Sequence, residues 1–245
     1  MERRRIYYSF HDMPREPKVE IFTPYPDYRE ITNKSITSRT EIIHLVTAML
    51  TLSVAFTFAM AGGIARLASY GDEGIYDLAY FFPFAVLGVL TGFFFHELSH
   101  KFVARKYGLW AEFRMYPNGL LLALIIGIFF GFVIAAPGAV NIQGGARRFE
   151  LGRIASAGPL ANIIVGTVSL IGYLTLGTDS SLGLILGFVC MINLFLGTFN
   201  LLPFDPLDGK KIMVWNAMVW ALLFIIAVIL LTIYSTRIII PGFRF

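Results

Sequence analysis

The chain has 245 residues, of which 56% are hydrophobic and 15% are charged, and its net charge is +4. Soluble domains carry about 25% charged residues, so this balance excludes an ordinary soluble fold and predicts an integral membrane protein. One cysteine, Cys190, excludes a disulfide framework and a cysteine-rich zinc site. Nucleic-acid binding would need basic residues gathered on one exposed face; we instead expect them beside the anionic lipid of a bilayer, with no nucleic-acid partner.

The first 40 residues are polar and contain eight Lys/Arg residues and four prolines. This composition is typical of a solvated, extended segment on the cytoplasmic side of a membrane. The first apolar run begins at Ile42, too late for a cleaved secretory signal, so it should remain as an anchor. We predict an N-terminal cytoplasmic tail over residues 1–40 and one membrane-embedded domain over 41–245, with its core at 78–211.

Six uncharged windows follow Glu41, and most meet the length of about 20 residues that a membrane-crossing helix needs. They cover residues 42–65, 78–96, 115–146, 154–178, 180–204 and 212–236. The pattern predicts an all-α polytopic protein of the cell membrane with about five or six transmembrane helices.

The window 115–146 is ambiguous, because Gly127 and Gly131 interrupt its apolar centre and Pro137-Gly138 closes it. If it spans, the arginines that follow it lie outside the cell. If it is a re-entrant segment or a hairpin buried against protein, they stay inside, as the distribution of positive charge favours. We therefore expect a re-entrant or β-hairpin segment here.

The stretch HELSH, residues 96–100, ends the second window. His96 and His100 are four residues apart, so on a helix both imidazoles project from one face and can hold one metal ion. Glu97 is rotated by about 100° from His96, where it can reach a metal-bound water as a general base. Ionisable groups within a membrane are costly and usually face a functional cavity.

Other interpretations of HELSH remain open. The histidines could be a structural pair, with Glu97 bonded to a neighbouring helix. The three side chains could relay protons in a proton-coupled transporter, or bind zinc in a non-catalytic membrane regulator. A di-iron lipid oxidase would need more histidines than the four in the chain.

A catalytic zinc site needs three protein ligands, so a third donor must lie elsewhere. Glu112, Glu150 and Asp179 lie beside arginines or in a turn, which is typical of surface charges. Asp205 and Asp208 lie in LLPFDPLDGKK, where prolines and a glycine break an apolar helix. An even number of crossings must separate Asp208 from His100, which again favours a re-entrant 115–146.

These residues resemble the site-2 protease family of intramembrane zinc metalloproteases. HExxH is followed by ASAGPLANIIVG, similar to the family's GPxxN helix with Gly158, Pro159 and Asn162, and then by NLLPFDPLDG, which matches the family pattern NxxPxxxLDG. The three segments occur in the family's order.

The resemblance implies a role for each matching residue. His96, His100 and Asp208 would bind one zinc ion per chain, and Glu97 would activate a water. Asn200 would stabilise the oxyanion of the intermediate, and Asn162 would support the site or the substrate. The implied activity is endopeptidase cleavage of transmembrane segments of membrane proteins, and the family often has a hairpin or loop after HExxH that guides the substrate.

Overall fold

The structure is a computed structural model that describes residues 37–133, 137–177 and 179–237. Among these residues, five helices are long and apolar enough to cross a membrane. The spans are Arg39–Met60, Gly74–Lys106, Arg148–Leu176, Ser181–Asn200 and Ala217–Thr236. The prediction of an all-α polytopic membrane protein is confirmed, while residues 1–36 of the predicted tail lie outside the described residues.

Nine helices and two strands are numbered in chain order among the described residues. The helices are α1 (Arg39–Met60), α2 (Gly63–Tyr70), α3 (Asp72–Val89), α4 (Phe95–Lys106), α5 (Pro117–Phe130), α6 (Arg148–Leu176), α7 (Ser181–Asn200), α8 (Asp208–Trp215) and α9 (Ala217–Arg237). The strands are β1 (Trp110–Met115) and β2 (Gly138–Gln143).

A π-helical turn, Leu90–Phe94, joins α3 to α4 within one span of 33 residues. The hydroxyl of Thr91 donates to the carbonyl of Leu87 at 2.9 Å and accepts from the amide of Asn193, on α7, at 2.9 Å. Such turns are frequent at functional sites. Here the turn ends two residues before His96, and a hydrogen bond connects it to α7.

The segment 115–146 turns back on itself, so that its first residue lies beside a residue near its end. Helix α5 has 14 residues, and β1 pairs with β2 in antiparallel register, with Met115 opposite Gly138. A β-carbon on Gly127 would lie 2.6 Å from the carbonyl oxygen of Ala55, so only glycine allows α5 to pack this closely on α1. The predicted re-entrant segment and hairpin are therefore both present, as a short helix inserted between two paired strands.

Helices α6 and α7 pack against each other and lie against the other spans. Gly166 of α6 contacts Leu194, and Gly197 of α7 contacts Asn162, so small residues bring the two helices close together. They are the two consecutive spans between α4 and α8, which allows both of those helices to lie at the same side of the bundle.

Candidate metal centre

His96 and His100 lie one turn apart on α4 and are both buried. Their Nε2 atoms are 3.0 Å apart, and the ring planes are inclined by 81°. The predicted arrangement of two imidazoles on one helix face is therefore present.

His100 is oriented by a second helix. Its Nδ1 lies 2.6 Å from the carbonyl oxygen of Ile154, on α6. A carbonyl only accepts, so Nδ1 carries a proton and Nε2 is the ring nitrogen that can bind a metal. Metal-binding histidines commonly have such a partner, which fixes both the tautomer and the ring orientation.

Asp208 is the first residue of α8, the short helix that follows the C-terminal end of α7. Its carboxylate lies beside the two histidines. Its Oδ2 lies 3.2 Å from Nε2 of His96 and 3.0 Å from Nε2 of His100. The next residue must be small, because a β-carbon on Gly209 would collide with the carbonyl oxygen of Leu201. The LDG sequence thus lets the start of α8 pack against the end of α7, which carries Asp208 to the histidines.

The three donor atoms fit a zinc ion. Separations of 3.0–3.2 Å among the two Nε2 atoms and Oδ2 are close to the roughly 3.3 Å expected between ligands of a tetrahedral ion with bonds of about 2.0–2.1 Å. Two imidazoles and one carboxylate are also a usual donor set for catalytic zinc, which retains an open position. Within the described part of the chain, these three side chains form a group that could hold a metal ion.

The second carboxylate oxygen of Asp208 forms a salt bridge with a lysine. Its Oδ1 lies 3.1 Å from Nζ of Lys211, one turn further along α8. Burial by itself would raise the pKa of Asp208, but a positively charged His100, together with Lys211, outweighs burial and holds that pKa well below its usual range. The carboxylate therefore stays ionised, as a metal ligand must be.

Glu97 is buried beside the cluster, and its Oε2 has no hydrogen-bond partner among the described residues. A buried carboxylate oxygen without a partner is costly and usually has a functional reason. Its place next to His96 is that expected of a general base.

Gly158 of α6 lies directly against both histidines. A β-carbon there would collide with Nε2 of both His96 and His100. Only glycine keeps this side of the cluster open, which gives the glycine of GPxxN a physical role that the sequence alone did not assign.

The structure does not bring the two asparagines into hydrogen bonds with the cluster. The amide of Asn200 donates to the carbonyl of Leu196 at 3.0 Å, within its own helix. Asn162 lies one turn beyond Gly158, is fully buried, and has no partner for its amide nitrogen or oxygen within the described part of the chain.

The sequence interpretation missed a buried ion pair behind the site. Nζ of Lys101, the residue after His100, lies 2.6 Å from Oε2 of Glu41 on α1, and Oε1 of Glu41 accepts from the backbone of Phe113 on β1 at 3.0 Å. The only signal in the sequence was that an acidic residue, Glu41, comes directly before the first apolar run. Glu112 was interpreted as a surface charge, which is wrong: it is buried and paired with Arg114.

Five membrane-spanning helices around a buried His-His-Asp cluster define an integral membrane protein with a site suited to zinc. The chain is 41% identical over 186 residues to the "Putative zinc metalloprotease MJ0611" of Methanocaldococcus jannaschii, covering 76% of this chain and 89% of that protein. It therefore belongs to the zinc metalloprotease family that this relative represents.

Two further relatives have the same kind of name. The "Zinc metalloprotease MJ0392" of Methanocaldococcus jannaschii is 35% identical, over 48% of this chain and 30% of that protein. The "Putative zinc metalloprotease YwhC" of Bacillus subtilis is 30% identical, over 58% of this chain and 72% of that protein. No family model matches the chain, and no solved structure matches it.

Proposed function

We propose that the protein is an intramembrane zinc endopeptidase, which cleaves transmembrane segments of other membrane proteins as site-2 proteases do. The observation that carries this proposal is the convergence of His96, His100 and Asp208 within 3.2 Å inside a membrane-spanning bundle. Beside them lies Glu97, whose Oε2 has no hydrogen-bond partner among the described residues. A structural zinc site would need no general base and is usually closed by a fourth ligand.

His96, His100 and Asp208 would hold one zinc ion, and Glu97 would move the protons. Zinc, when bound at such a site, lowers the pKa of a coordinated water to about 7 and polarises the substrate carbonyl. Glu97 accepts the proton of the attacking water and then gives it to the leaving amine. Asn162 and Asn200 carry uncharged amides on the two motif helices, which suits them to hydrogen-bond the substrate or its oxyanion.

The substrate must present an extended backbone. A transmembrane helix keeps its carbonyls in internal hydrogen bonds, so it has to unwind locally before cleavage. The sheet β1–β2 has only two strands among the described residues, and the edge of β2 that faces away from β1 could accept an extended segment by strand addition.

The decisive variant is Glu97→Gln, purified in detergent and compared with wild type for zinc content and for cleavage of a model transmembrane peptide. We expect zinc to be retained and cleavage to fall by at least about 100-fold, since general acid–base catalysis contributes 10²–10⁴-fold. Glu150→Gln, which changes an acid at the start of α6, is the matched control and should keep wild-type cleavage.

Two results would contradict the proposal. Undiminished cleavage by Glu97→Gln would exclude Glu97 as the general base. A zinc-loaded wild-type protein that cleaves no transmembrane peptide would support a non-catalytic zinc-binding regulator or a transporter instead.

A further inference from the structure

A cavity of about 270 Å³ opens beside Glu97. Three parts of the fold supply its walls: one face of α1, the span that carries the histidines, and the two-stranded sheet. The apolar lining consists of Ile42, Leu45, Val46, Met49, Phe94, Leu98, Phe113 and Val140, and the polar lining of Thr37, Glu41, Glu97 and Lys101.

The apolar walls are fixed by regular structure. The four residues from α1 follow the spacing i, i+3, i+4, i+7, so they form one continuous stripe. On the opposite wall Phe113 and Val140 face each other in the register of the sheet. The ion pair of Glu41 and Lys101 lines the same space and ties α1 to the helix of the histidines.

The cavity and the metal centre share Glu97. A general base must lie within hydrogen-bond reach of the water that attacks the scissile carbonyl. A substrate bound for cleavage therefore has the side chains flanking that carbonyl close to Glu97, and the apolar cavity is open space at that place.

The size and the entrance of the cavity fit such a side chain. A cavity of about 150 Å³ with apolar walls is sufficient for benzene, so 270 Å³ accommodates the side chain of leucine, methionine or phenylalanine. Ile42 and Val46 on the rim are about half exposed, on an apolar face of a membrane-spanning helix. A side chain can thus enter from the lipid.

We propose that this cavity is the specificity pocket of the protease, which binds the side chain of a residue next to the scissile bond and selects a large apolar one. This proposal rests on the proposed function, because it needs a peptide to be cleaved at the metal centre. Met49 and Leu45 are its specificity-determining residues, and α1 is then part of the substrate-binding site as well as a membrane span.

The test uses model transmembrane peptides that carry Ala, Val, Leu or Phe at each position flanking the cleaved bond. For wild type, we expect kcat/KM at one of these positions to rise at least about tenfold from Ala to Leu, since each methylene in an apolar pocket is worth about 10–200-fold. Met49→Phe puts a bulkier and more rigid side chain into the cavity and should weaken this preference, so that the Phe peptide loses about tenfold or more relative to the Ala peptide.

The matched control is Leu50→Phe, which introduces the same side chain at the neighbouring residue; Leu50 is exposed on α1 and does not line the cavity. It should keep the wild-type preference. Zinc content is measured for every variant, so that a change in preference is separated from damage to the metal centre.

A second measurement does not depend on cleavage. Peptides with a photoreactive phenylalanine analogue at the flanking positions are crosslinked to the Glu97→Gln variant, and the labelled residues are mapped. Crosslinks to 45–49 or to Leu98 are expected.

A flat preference in an active wild type, or crosslinks elsewhere, would overturn the pocket and leave the proposed function standing. The first result is also the one expected if a lipid acyl chain fills the cavity. If no peptide is cleaved, the proposed function fails, and the crosslinks alone then decide whether the cavity binds a peptide side chain.

Discussion

At the scale of single residues, the donor atoms of the candidate metal centre are held in place by different helices. Nε2 of His100 is directed by the carbonyl of Ile154 on α6, and Oδ2 of Asp208 is delivered by the start of α8. These two donors are therefore positioned by packing before any ion binds, which lowers the cost of assembling the site.

Asp208→Asn should lower zinc affinity by more than about 100-fold, because losing a ligand must exceed the 10–100-fold loss typical of outer partners. The measurement is zinc titration of the purified protein. Asp205→Asn is the matched control three residues away: Asp205 is partly exposed and pairs with Lys210, so zinc affinity should not change. Equal affinities for the two variants would exclude Asp208 as a ligand.

Gly158→Ala should reduce zinc content while the helices remain folded, since the new β-carbon collides with Nε2 of both histidines. Gly172→Ala, on the same helix, is the comparison: its β-carbon would lie 2.6 Å from the terminal Cδ1 of Leu186, which can rotate away. Zinc content is measured by elemental analysis and helicity by circular dichroism. Full zinc content in Gly158→Ala would contradict the close approach of α6.

At the scale of secondary-structure elements, the Glu41–Lys101 ion pair connects α1, α4 and β1. Glu41 is fully buried on α1, Lys101 is buried on α4, and the second oxygen of Glu41 binds β1. Because both charges are buried, each depends on the other for compensation.

Glu41→Gln should therefore destabilise the protein by about 3–5 kcal/mol, the usual cost of removing one partner of a buried pair. The double variant Glu41→Gln/Lys101→Met removes both charges and should recover most of this loss. Thermal unfolding in detergent measures both effects. If the double variant is as unstable as the single one, the uncompensated charge of Lys101 does not cause the loss of stability in Glu41→Gln.

The re-entrant segment 115–146 was predicted from sequence patterns only in part. Apolar composition and Pro137-Gly138 indicated that 115–146 enters the membrane and turns back. They did not indicate that 14 residues of it form a helix between paired strands. That result depends on Gly127 meeting the backbone of α1, a contact between residues 72 positions apart in the sequence (127 − 55).

At the scale of the whole molecule, α6 and α7 must cross the membrane in opposite directions to bring Asp208 back to His100. With the N-terminus in the cytoplasm, as the distribution of positive charge predicts, Arg147 lies on the cytoplasmic side and Asp179 on the other. Both are exposed.

Single cysteines test this topology in a Cys190→Ala background, which removes the buried native thiol. Asp179→Cys should react with a membrane-impermeant maleimide in intact cells, and Arg147→Cys only after permeabilisation. Labelling of Arg147→Cys alone in intact cells would invert the predicted orientation. Labelling of both from one side would show that α6 does not cross.

The sequence by itself determined the membrane class, the positions of the spans, and the candidate ligands His96, His100 and Asp208, because apolar length and the i, i+4 spacing are local properties. Only the tertiary structure decided which atoms meet. The orienting carbonyl of Ile154, the clearance at Gly158, the buried Glu41–Lys101 pair and the cavity beside Glu97 all arise between helices far apart in the sequence. Contacts of this kind follow from packing, which no local pattern of residues specifies.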